Sequence, residues 1–118
     1  MIVEQRTFNF YPGKVAAYLA LYRDEGRAIQ ERHLGESLGV FVSECGPLNQ
    51  VIVLWKFDSY AHRDKVRHRM KSDPVWKSYL EKIHPLMLSM ENRIWVRADI
   101  GARDERAREI PSKPRKKK

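Results

Sequence analysis

The sequence predicts a single α+β domain in which four strands and two helical regions alternate in the order βαββαβ. Three observations carry this. The apolar residues switch between strand-like runs and helical spacing four times along the chain. Pro-Gly and Ser-Asp-Pro breaks punctuate the switches. The length of 118 residues, with 42% hydrophobic and 32% charged, suits one globular core and leaves no room for a second.

Residues 2–10, Ile2-Val3-Glu4-Gln5-Arg6-Thr7-Phe8-Asn9-Phe10, are β-branched and aromatic with polar residues between, and stop at Tyr11-Pro12-Gly13. They read as strand one. Val15, Tyr18, Leu19, Tyr22 and Ile29 then recur near helical spacing to about His33–Gly35, with Gly26 a place for a kink or close packing. Gly39–Glu44 and Gln50–Phe57 are two strands joined around Gly46-Pro47-Leu48-Asn49, a hairpin. Asp58-Ser59 supply an N-cap for a helix to about Lys71, with Tyr60, Arg63, Val66, Arg67 and Met70 on related faces. Asp73 can cap the next helix, with Pro74 in its first turn and Val75, Trp76, Tyr79, Leu80 and Ile83 as its apolar stripe. His84-Pro85 ends it, and Leu86–Val96 is the last strand.

This order is the ferredoxin-like one, a four-stranded antiparallel sheet with helices on one face. Such a sheet should have one wet face, yet Val51-Ile52-Val53-Leu54-Trp55 does not alternate, and Val40-Phe41-Val42 and Ile94-Trp95-Val96 are continuous apolar runs. A sheet apolar on both faces must be covered on both. The expected cover for the second face is another copy of the chain, a homodimer through the sheet.

The formal charge of +8 lies mostly at the C-terminus, where residues 103–118 hold eight basic residues against three acidic ones. Pro111 and Pro114, with almost nothing apolar after Ile110, predict that residues 99–118 form a disordered basic tail behind a folded domain at 1–98. Such a tail attracts polyanions weakly, and less so as salt rises. No apolar run approaches a bilayer span, and the opening Met1-Ile2-Val3-Glu4 is unlike a secretory signal, so a cytoplasmic protein is expected. Cys45 is the single cysteine, which excludes an intrachain disulfide and predicts a buried or inert thiol.

Several side chains are candidates for chemistry. His33, near the end of the first helix, is a possible general base or ligand, or else a cation favouring the helix C-terminus. Arg63 and Arg67 share a helix face and could grip a carboxylate or phosphate, or pair with acidic residues across a dimer. Trp55, Trp76, Tyr60 and Tyr79 can line a pocket or fill the core. Glu91 and Asn92 sit adjacent in a strand, so one should point into an apolar layer, tying the structure together or facing a ligand. Asn49 contacts a ligand or fixes its turn. The histidines lack the spacing and carboxylate company of a zinc site, so no metal is expected.

The run Gly46-Pro47-Leu48-Asn49-Gln50-Val51, then Leu54-Trp55, Asp58-Ser59-Tyr60 with Arg63, Ser72-Asp73-Pro74-Val75-Trp76 with Tyr79, and Glu91-Asn92-Arg93-Ile94, together with Pro12-Gly13-Lys14, resembles the NIPSNAP pattern in order and spacing over about residues 1–97. The resemblance implies a dimeric α+β barrel with two sheets facing each other and helices outside. No cofactor is expected, and the resemblance leaves the function as small-molecule binding or interaction with unassigned substrate. The alternative is a cofactor-independent monooxygenase acting on an aromatic or polyketide-like molecule, with His33, Trp76 and Glu91 as its candidate groups. Haem-degrading members of the superfamily carry an Asn on strand one, which Asn9 matches, and a Trp and a His in the second helical region. Here His68 stands roughly where that Trp would be, and no His lies near Tyr79.

Overall fold

Nine alternating residues, Ile2–Phe10, form strand β1, the centre of the molecule. In the computed structural model, which describes residues 1–101, β1 pairs antiparallel with β3 (Gln50–Phe57) on one side and β4 (Met87–Val96) on the other. The short β2 (Gly39–Val42) closes the sheet against β3, giving the order β2-β3-β1-β4. The four-stranded antiparallel sheet and the α+β architecture are those the sequence predicts. The basic tail lies, from residue 102 on, outside the described residues.

The helical layer covers one face. Its first part is α1 (Val15–Leu21), a π-helical turn at Tyr22–Gly26, and α2 (Arg27–Leu34), which run on as one continuous helix and end where Gly35 adopts φ +84°. The kink expected at Gly26 takes the form of this π turn. The close packing expected there is met as well: the phenol of Tyr79 lies so near Gly26 that any Cβ would overlap the ring. The other two helices are α3 (Tyr60–Lys71) and α4 (Pro74–Ile83). Ser59 Oγ caps α3 by accepting from the His62 N–H at 3.1 Å, and Asp73 caps α4 by accepting from Val75 N–H at 2.9 Å.

Strand register sorts the two faces of the sheet. Ile2, Glu4, Phe8 and Phe10 of β1, with Val51, Val53, Trp55 and Phe57 of β3, point to the helices and are buried. They meet Tyr18, Ile29, Val66, Met70, Trp76, Tyr79 and Ile83 from the helical layer. The same register puts Val3, Gln5 and Thr7 beside Leu54 and Ile52, with Phe41 and Trp95 on the flanks, on the face no helix covers. There Phe41 remains 52% and Trp95 48% exposed.

Strand β4 departs from regular pairing at one point. Asn9 pairs with Ser89 but Phe10 pairs with Met87, so Leu88 is an extra residue bulged out of β4. Without it Met87 and Met90 would face opposite ways. With it both turn toward the helices.

Three expectations are corrected. Glu91 and Asn92 are both exposed, because β4 is an edge strand and neither residue enters an apolar layer. Of the two states expected for Cys45, buried or inert, the buried one is overturned, since it is exposed in the 43–49 loop where the chain has left the sheet. Val75 is exposed on the outer side of α4 and does not join its buried stripe. Among the described residues no helix is long and apolar enough to cross a membrane, and none of the His, Cys, Asp and Glu side chains cluster in threes that could hold a metal.

Candidate functional site

A buried carboxylate organises the space between sheet and helices. Glu4 is wholly buried on the helix-facing side of β1. Arg63, one turn into α3, donates to it twice, Nε to Oε1 at 3.0 Å and Nη2 to Oε2 at 2.9 Å. Arg6, two residues along β1 on the same face, donates from Nη1 to Oε2 at 2.7 Å. Burial alone would raise the Glu4 pKa; the Arg63 hydrogen bonds and the charges of Arg6, Arg67 and Arg63 outweigh it and hold the carboxyl below its ordinary 4.5. Glu4 is therefore ionised, and Arg63 is divided between it and Asp64, whose Oδ1 accepts from Nη1 at 3.1 Å.

Beside this cluster lies a cavity of about 260 Å³. The sheet contributes Arg6, Phe8, Met87 and Met90; α4 contributes Trp76, Tyr79, Leu80 and Ile83, with His84 just beyond its end; Tyr18 and Gln30 come from α1 and α2, and Arg67 and Lys71 from α3. The walls are aromatic and aliphatic, with the Trp76 and Tyr79 rings 5.3 Å apart and the Phe8 and Tyr18 rings 5.9 Å apart.

Its polar groups are the informative ones. Arg67 is half-buried and, among the described residues, makes no ion pair or side-chain hydrogen bond. Loss of water lowers its pKa to about 10, helped by the charges of Arg6 and Arg63 and opposed by Glu4. Gln30 is 8% exposed, yet its Oε1 has no hydrogen-bond partner within the described residues, while the Tyr79 hydroxyl is packed against Gly26 and beside the phenol of Tyr18. Burial also raises the pKa of Tyr18 and of Tyr79, and pushes Tyr22 up to about 12, so all three phenols stay protonated. An unpaired buried polar atom costs about 1–3 kcal/mol, so Gln30 Oε1 is a local cost carried by one of the residues that line the cavity.

The sequence candidates separate. Trp76, Tyr79 and Arg67 converge on the cavity. Trp55 is 1% exposed in the core behind it, its Nε1 also unpartnered. Arg63 is taken up by Glu4 and Asp64, and Tyr60 stands exposed at the start of α3. Asn49 adopts φ 59° and its carbonyl accepts the Phe10 N–H at 2.8 Å, a turn-fixing position. His33 Nε2 lies 2.9 Å from Asp73 Oδ2, joining the end of α2 to the α3–α4 turn away from the cavity. That hydrogen bond, with the Val75 N–H, holds the Asp73 carboxyl below its usual range. Glu91 and Asn92 lie on the exposed edge.

Sequence reasoning missed Glu4, Arg6, Gln30 and Lys71. One signal was available: Glu4 and Arg6 occupy the apolar period of β1, where charges need partners. Gln30 gave none, since the residues beside it are mixed, Ile29 apolar and Glu31 charged.

The site can be set beside known proteins. Among curated proteins the chain is similar to a NipSnap homolog of Dictyostelium discoideum, 34% identical over 90 residues, which is 76% of this chain and 40% of that protein. It is also similar to NipSnap homolog 3B of Mus musculus, 31% identical over 75 residues, 63% of this chain and 30% of that one. The chain thus spans less than half the length of these relatives. Among solved structures, a NIPSNAP family protein with unknown function from Agrobacterium tumefaciens matches with a TM-score of 0.81 and 42% identity, over 86% of this chain and 91% of that one. An antibiotic biosynthesis monooxygenase matches with a TM-score of 0.62 at 14% identity, over 83% and 99%, a likeness of fold alone. The NIPSNAP family model matches residues 3–101, the whole of the sheet and helical layer that build the cavity, and on that match the chain belongs to the NIPSNAP family.

Proposed function

We propose that this domain is a homodimer that binds a small molecule in the cavity between sheet and helices. The observation that supports binding is the cavity itself, walled by aromatic and aliphatic side chains and carrying at Arg67 a half-buried guanidinium without an ion-pair partner among the described residues. The support for the dimer is the uncovered sheet face, where Phe41, Ile52, Leu54 and Trp95 form an apolar patch that a second sheet would cover.

The test is titration with indole, a neutral aromatic, followed by amide chemical shifts. Shifts should gather on α2, α4 and the start of β4, and Leu80→Trp, which fills the cavity, should abolish them. Shifts scattered over the surface and indifferent to Leu80→Trp would overturn the reading. Light scattering should give twice the chain mass, and Leu54→Asp on the uncovered face should return a folded monomer.

A second reading, oxygenation of an aromatic or polyketide-like molecule without a cofactor, takes its support from the fold shared with the monooxygenase. In it Trp76 lines the substrate and His84, at the rim, is the imidazole within the cavity. Oxygen consumption with a bound aromatic would favour this reading over binding alone.

A further inference from the structure

We infer that the ligand of this cavity is an apolar molecule bearing one carboxylate, its head on the Arg67 guanidinium and its body against Trp76, Tyr79 and the two methionines. The inference rests on the binding role proposed above and names the ligand class.

Charge is the first argument. Arg6, Arg67 and Lys71 line the cavity, and no Asp or Glu does. The nearest carboxylate, Glu4, already receives three hydrogen bonds from Arg6 and Arg63. What is left over is the fork of Arg67, with Lys71 one turn further along the same face of α3. A guanidinium stripped of part of its water and lacking a partner among the described residues is poised for a planar anion, since its two parallel N–H groups match a carboxylate.

Geometry is the second. Phe8, Tyr18, Trp76, Leu80, Ile83, Met87 and Met90 leave the remaining wall without charge, which suits a hydrocarbon or aromatic body and not a sugar or nucleotide. The Leu88 bulge turns both methionines inward, and their flexible thioethers accommodate bodies of varied shape.

Matched pairs of probes test this: 4-phenylbutyrate against 4-phenylbutyramide and decanoate against decanamide, titrated by calorimetry into the full chain. The expected result is binding of each acid at least about tenfold tighter than its amide, the size of one charge-assisted bidentate contact. Arg67→Gln should bring acid and amide within about twofold, while Arg67→Lys, which keeps the charge without the fork, should retain only part of the preference. Circular dichroism of both variants guards against misfolding, and the Lys variant decides if the Gln variant does not fold. Acids and amides binding equally well would overturn the carboxylate inference while leaving the binding site standing. Silence from all four probes would overturn both, and an unchanged acid preference in Arg67→Gln would move the head group away from Arg67.

Discussion

The two faces of the sheet use the same strands to opposite ends. Toward the helices, alternate residues of β1 and β3 reach full burial and even accept a charge, Glu4, because α3 brings Arg63 to meet it. Away from the helices most of the intervening residues stop halfway: Val3, Gln5, Ile52 and Leu54 are neither sealed nor solvated, between a buried Thr7 and an exposed Lys56. The difference teaches that strand composition decides only that both faces need cover. Which face takes the polar cluster depends on what packs against it.

The largest test of this contrast is Glu4→Ala, which strands Arg6 and Arg63 on the sealed face and should cost about 3–5 kcal/mol in urea unfolding. The same variant should change the acid limb of stability. The folded Glu4 pKa lies below its ordinary 4.5, so its contribution is complete above 4.5 and is lost as pH falls through the lower folded value. Stability measured against pH should therefore decline less steeply below about 4.5 in Glu4→Ala than in the parent chain.

Next comes the helical layer itself. Gly26→Ala drives a methyl into the Tyr79 ring and should cost about 1–3 kcal/mol, with cavity binding weakened because Tyr79 is displaced from its wall. Ser59→Ala removes the cap of the helix that carries Arg63 and Arg67, and should cost about 1 kcal/mol by thermal unfolding. Smallest is Lys56→Ala on the uncovered face, which should shift stability by no more than about 0.5 kcal/mol. A loss there as large as that of Glu4→Ala would erase the distinction between the faces.

Much of this was legible from the chain. β3 falls on Gln50–Phe57 because its apolar run is long and bounded, and Asp73-Pro74 marks the α4 start because cap and proline act locally. Trp76, Tyr79 and Arg67 were nameable as site candidates for the same reason: helical spacing groups them before any tertiary contact forms. Glu91 and Asn92 misled because alternation assumes a neighbour on each face, and an edge strand has few. Gln30 was silent because its burial is a property of how the helical layer packs and not of the residues around it in sequence.

The bulged Leu88 has a bearing beyond the cavity it shapes. A sheet ending in two straight edges invites other chains to add strands without limit, the first step of fibrous aggregation. Here β2 is only four residues long and the β4 ladder is interrupted at Leu88, one residue into its length, before it runs regularly from Ser89 to Val96. The irregularity that gives the site its methionines also denies a passing strand a straight template, so restoring a regular β4 by deleting Leu88 would trade ligand fit for self-association.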